Sequence, residues 1–143
     1  MNTVEVLKQL FKDNFVAYFR AHIAHINVTG RNFLSDHELF QKIYTDLYTQ
    51  VDDIGELIRT LQDFAPCDLE NLCKESGVPC TELYGDSEHY LNEVMNDLYV
   101  LKSVFEELLK ASKEEDLDQV TGYAEDQLVM IAKHIWQLES TLG

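Results

Sequence analysis

Four side chains in the first 56 positions, His25, His37, Asp52 and Glu56, are of the types that hold divalent metal ions. Imidazole nitrogen combined with carboxylate oxygen suits a borderline ion such as Fe(II) or Zn(II). Their spacing decides how they can meet. On a single helix, the step from His37 to Asp52 covers about 22 Å of axis at 1.5 Å per residue, whereas ligands sit about 2 Å from an ion. One helix therefore cannot bring both to one metal. A second copy can, because positions 37 and 56, and equally 41 and 52, are symmetric about the point between Asp46 and Leu47. If two copies of this helix pack antiparallel about a two-fold axis there, His37 meets Glu56 of the partner subunit and Gln41 meets Asp52 of the partner subunit, twice over. His25 joins by similar logic, since a hairpin centred near Arg31 sets residue 25 beside residue 37. A hydrated helix face also collects Asp, Glu and Gln, so these residues by themselves leave that plainer reading open. His22, one turn before His25, is a further candidate ligand and equally a core or supporting histidine. Tyr44 and Tyr48 lie between the ligand rows and read as interface packing, while His89 and His134 read as structural or surface residues.

The elements that must position these groups are helical. Val4, Leu7, Phe11, Phe15 and Tyr18 step by three or four, and continuing the stripe lands on His22 and His25. The spacing predicts a first helix from Thr3 to about Asn27 with both histidines on its buried face. Ser35 or Asp36 is expected to cap the second helix, with Glu38 completing a capping box. That helix, about Asp36 to Gln62, carries a core stripe of Phe40, Ile43, Leu47, Val51, Ile54, Ile58 and Leu61; His37, Gln41, Asp52 and Glu56 share an arc of about 100° off the stripe. A linker from Asp63 to Asp86 holds both prolines, Gly77, Gly85 and all three cysteines, with a short helix expected around Leu69 to Lys74. A third helix runs from Ser87 to near Ser112, and a fourth from about Asp118 to Leu142. Four long helices with a long middle connection predict an all-α, ferritin-like four-helix bundle, with residues 1–143 forming one domain.

Composition narrows the function classes. Two prolines and six glycines among 143 residues are too few for an all-β or collagen-like chain. The formal charge of −15 repels a phosphate backbone and attracts cations. The amino-terminal residues, with Glu5 in the first turns, do not read as a signal peptide, and no apolar run is long enough to span a bilayer, so a soluble cytoplasmic protein is expected. Cys67, Cys73 and Cys80, spaced C-x5-C-x6-C, match neither a disulfide framework nor paired zinc ligands; reduced, inert thiols are the expectation.

The set His25-Ile26-Asn27-Val28-x-Gly30-x-x-Phe33, then His37, then Asp52-x3-Glu56, resembles the Dps family of miniferritins. Lys133-His134-Ile135-Trp136 and the short linker helix are similar to that family as well. The resemblance implies a hollow twelve-subunit shell built from two-fold dimers, oxidation of Fe(II), usually by hydrogen peroxide, and storage of ferric mineral inside. It implies ligands at the two-fold interface in His25, His37, Asp52 and Glu56; the same donor types also admit Zn(II) as a substitute ion. Two positions depart from the family pattern: Gln41 stands where an aspartate is usual, which makes it a weak ligand, and Ile26 where a tryptophan is usual. Asp116 and Asp118 fall where the family opens its three-fold pores, though a merely solvated acidic turn has the same composition. The chain shows no lysine-rich tail, so direct DNA binding is not expected. A catalytically weak, structural or metal-sequestering shell is the rival reading, and a monomeric helical adaptor a third.

Overall fold

The computed structural model describes residues Met1–Gly143, with five helices and no strand. The four long ones are α1 (Thr3–Asn27), α2 (Phe33–Thr60), α4 (Ser87–Glu114) and α5 (Asp118–Leu142), and a short α3 (Leu69–Glu75) interrupts the linker between α2 and α4. The hairpins α1–α2 and α4–α5 pack together chiefly through α1 against α4. This is the predicted ferritin-like bundle with its long crossover. Side chains cap the starts of α1 and α4: Asn2 Oδ1 accepts the Glu5 amide at 2.9 Å, and Asp86 Oδ1 accepts the His89 amide at 2.9 Å. No helix is long and apolar enough to cross a membrane.

Helix α2 begins three residues before the expected cap. Gly30, at φ +114°, allows the chain to turn sharply enough for its carbonyl to accept the Phe33 amide, and Asn32 takes the cap position without a side-chain bond. Asp36 is left free to turn inward, where it is buried and accepts a hydrogen bond from Ser87 at the start of α4. The expected capping box is therefore not made; the candidate cap Asp36 ties the two hairpins together instead.

The buried face of α1 also differs from the expected one. Val6, Leu7, Leu10, Ala17, Ala21 and Ala24 form it, whereas Phe11, Phe15, Tyr18, His22 and His25 lie half-buried along its flank. Small residues win the core position because they let α1 approach α2 and α4 closely, and the rings spread into the shoulder beside α2. Two polar side chains on the buried face of α1 reach across to neighbouring helices. Asn14 donates to the Leu47 carbonyl at 2.9 Å, and Arg20 donates to Asp97 at 2.7 Å and Glu93 at 2.6 Å. The predicted α2 stripe is buried at Phe40, Ile43, Leu47, Ile54 and Ile58, while Gln50, bonded to Gln127 at 2.9 Å, occupies the place given to Val51 and Leu61 is half-buried just past the helix end.

Cys73 and Cys80 form a disulfide across a Cα–Cα distance of 5.6 Å, which corrects the expectation of three reduced thiols. Folding supplies what the spacing did not reveal. Leu72 and Val78 are both buried, which folds the chain back after α3, and the Gly77 amide donates to the buried Asp13 carboxylate at 2.7 Å. Cys67 is exposed and free.

Candidate metal centre

The α1–α2 hairpin brings His25 and His37 together. Their rings stack with centroids 3.7 Å apart and planes 15° from parallel, and Phe33 packs on the outer face of His37 at 4.9 Å. Each ring is tied to the other residue's backbone: His25 Nδ1 lies 2.8 Å from the His37 carbonyl oxygen, and His37 Nδ1 lies 2.6 Å from the His25 carbonyl oxygen. A carbonyl oxygen only accepts, so both Nδ1 atoms must carry the proton. In the neutral rings, both Nε2 atoms then hold a lone pair available to a metal. Reciprocal bonds of this kind also fix ring orientation, which raises affinity by removing freedom before an ion arrives.

Asp52 and Glu56 lie one turn apart on the exposed side of α2. No lysine or arginine pairs with either carboxylate. The Asp52 charge is the main cause that raises the Glu56 pKa above its ordinary value, with a hydrogen bond between the two and Asp53 adding to it. Two unneutralised carboxylates on one turn repel each other and gain most from a shared cation. Gln41 is exposed one turn beyond His37 and brings a neutral amide rather than a third charge. Within one chain no three His, Cys, Asp or Glu side chains converge on an ion position. The imidazole pair and the carboxylate pair stand apart on the same helix pair.

His22 joins neither. Its ring stacks flat on Tyr44, with centroids 4.0 Å apart and planes 7° from parallel, and its Nδ1 lies 2.9 Å from the Tyr18 hydroxyl. Tyr18 in turn packs against Tyr48, 63% exposed, at 5.3 Å. The sequence reading placed Tyr18 in a core stripe and missed its bond to His22; the four-residue spacing of the two on one helix was the available signal. His134 is buried with Nε2 2.7 Å from Asp46 Oδ2, a structural pairing of α5 with α2. His89 is exposed beside Glu93. Asp116, at φ +56°, and Asp118 are exposed on the α4–α5 turn, which Glu115 anchors by accepting the Thr3 amide at 2.6 Å.

A long-helix bundle with a crossover between its two hairpins has the architecture of a ferritin-like subunit. The chain belongs to the Dps family of ferritin-like proteins: residues 4–143 match the Ferritin-like domain family, and the whole chain is 32% identical over 144 residues to the whole DNA protection during starvation protein of Helicobacter pylori. A second protein of that name, from Brevibacillus brevis, is 26% identical over 89% of this chain and 85% of its own. Among solved structures, Helicobacter cinaedi CAIP superposes with a TM-score of 0.91 at 27% identity, covering 99% of this chain and 100% of its own. Dps from Staphylococcus aureus, at 23% identity and a TM-score of 0.92 over 99% of this chain and 95% of its own, shares the fold.

Proposed function

We propose that this chain is the subunit of an iron-oxidising, iron-storing shell, in which Fe(II) is substrate and the oxidant is hydrogen peroxide. The observation that carries the reading is the reciprocal locking of His25 and His37, which leaves the Nε2 lone pair of each ring unused by any other group of the chain. The unpaired carboxylates Asp52 and Glu56 supply the other half from a second copy, by the antiparallel packing about the point between Asp46 and Leu47. Imidazoles hold and orient the ion, and the carboxylates provide charge that favours the ferric product. Two carboxylates neutralise one divalent ion, so with Gln41 neutral one iron binds tightly per site. Zn(II), which takes the same donors but no redox step, competes for it.

Ferric ions then hydrolyse and collect as mineral in the cavity of a twelve-subunit assembly. Asp116 and Asp118, on the exposed turn, form the rims of entry pores that raise the local Fe(II) concentration. Protection of nucleic acid follows from removing iron and peroxide together; direct coating of DNA does not, because a charge of −15 per chain leaves no favourable counterion release. A cytoplasmic setting matches this chemistry.

Light scattering tests the assembly, with a dodecamer expected and a monomer contradicting the reading. Anaerobic Fe(II) titration followed by stopped-flow absorbance on adding peroxide tests the site: one tight Fe(II) per interface half and oxidation well above the buffer rate are expected. Tight binding without accelerated oxidation supports instead a metal-sequestering shell, the reading that the missing carboxylate at Gln41 favours.

A further inference from the structure

One Fe(II) per site meets an arithmetic problem, an argument that rests on the ferroxidase reading above. Reducing hydrogen peroxide to two hydroxides takes two electrons, and one Fe(II) gives one. If nothing else supplies the second electron, the product is a hydroxyl radical. The chain holds a phenol placed to supply it. Losing an electron makes a phenol O–H strongly acidic, so the electron leaves readily only where a base is already bonded to the hydroxyl. The Tyr18 hydroxyl has such a base, His22 Nδ1 at 2.9 Å. Tyr44 and Tyr48 pack beside it, yet their hydroxyls make no hydrogen bond to any protein group. From Tyr18 the path to the site is short: its ring centroid is 5.6 Å from His22, and His22 is 6.1 Å from His25, with Tyr44 stacked on the first imidazole and 5.1 Å from the second. Tyr18 is also half-buried, which shields it from adventitious reductants.

We infer that Tyr18, with His22 as its proton acceptor, is a one-electron donor to the iron site. In the first step Fe(II) gives one electron and Tyr18 the other, the O–O bond breaks, and the phenol proton moves to His22 Nδ1. The products are Fe(III), two hydroxides, a neutral tyrosyl radical and protonated His22. In the second step another Fe(II) reduces the radical, and His22 returns the proton to the phenolate oxygen. The sum is two Fe(II) oxidised per peroxide with no hydroxyl radical released. Tyr18 touches neither iron nor peroxide and acts through the ring path, so its signature is spectroscopic.

The assembled protein, loaded anaerobically with one Fe(II) per site, is mixed with peroxide and freeze-quenched for electron paramagnetic resonance. A tyrosyl signal is expected, altered by ring-deuterated tyrosine, lost in Tyr18→Phe and kept in Tyr44→Phe. Spin-trapped hydroxyl radical is expected to rise several-fold in Tyr18→Phe, with anaerobic Fe(II) affinity unchanged. An iron-free readout guards against misfolding: flash oxidation of the metal-free shell by a ruthenium polypyridyl should give a tyrosyl radical whose yield falls in His22→Gln. A wild-type shell that oxidises Fe(II) with peroxide but shows no tyrosyl signal, or a signal that persists in Tyr18→Phe, overturns this inference and leaves the ferroxidase reading standing. Absence of any peroxide-dependent oxidation overturns both.

Discussion

Mixing two inactive variants should recover activity in a fixed proportion. His25 lies on α1 and His37, Asp52 and Glu56 on α2, yet His37 and Glu56 are about 28 Å apart along α2 at 1.5 Å per residue, too far to share an ion. On the proposed reading, each complete site draws histidines from one copy and carboxylates from another. His37→Ala shells lack every imidazole pair and Glu56→Ala shells lack every complete carboxylate pair, so each variant alone should lose tight Fe(II) binding. Both positions are on or near the surface, so neither change removes core packing. If the two subunits are refolded together in equal amounts, a given site has an even chance of an intact imidazole donor and an independent even chance of an intact carboxylate donor. About one quarter of the sites should then be whole, because in a mixed two-fold pair one site collects both lesions and the other none. The assay is anaerobic Fe(II) binding per subunit, with initial oxidation rate as the second readout, and the two preassembled variants combined without unfolding serve as the blank. Recovery near one quarter only after co-assembly is expected. No recovery would mean that histidines and carboxylates of the same chain serve the same ion, or that they serve none, and the two-copy argument would fail.

Three further outcomes follow from the same structure. Gln41→Asp adds a third negative charge beside His37 and should raise tight Fe(II) stoichiometry from one to two per site while speeding peroxide-dependent oxidation, as read by anaerobic calorimetry and stopped flow; an unmodified protein that already binds two with similar affinity removes Gln41 as the limiting residue. The Cys73–Cys80 disulfide closes a loop of separation 7, for which loop-closure entropy predicts about 2.5 kcal/mol, so Cys73→Ser with Cys80→Ser should lower the urea midpoint at fixed protein concentration, and a midpoint that does not move sinks that assignment. Burial pushes the Asp97 carboxyl up from 3.8 to about 7, opposed by its bonds to Arg20 and reinforced by Glu93. The folded state then holds this proton more tightly than the unfolded chain, so stability should fall as pH rises from about 4 to 7, and Asp97→Asn should flatten that part of the stability profile.

Much of the architecture was readable from local pattern. The three-four stripe of Phe40, Ile43, Leu47, Ile54 and Ile58 sets which side of α2 is buried, because a helix's own period determines which residues share a face whatever packs on it. The linker's prolines and glycines marked the break between α2 and α4, since those residues disfavour helix continuation by their own backbone chemistry. The symmetry of positions 37, 41, 52 and 56 is likewise a property of sequence and rise per residue alone. Which face of α1 is buried was not local: aromatic rings at Phe11, Phe15 and Tyr18 carry the stronger hydrophobic signal, but alanines hold the core face because only the neighbouring helices decide how close the backbone must come. The locking of His25 to His37 depends on the turn at Gly30 bringing residues twelve positions apart to within hydrogen-bond distance, the Tyr18–His22 bond on rotamers set by Tyr44 packing against both, and the Cys73–Cys80 pairing on two buried side chains that fold the linker back. Periodicity places residues on a face; bonds between faces form only once the tertiary fold has set the distances between them.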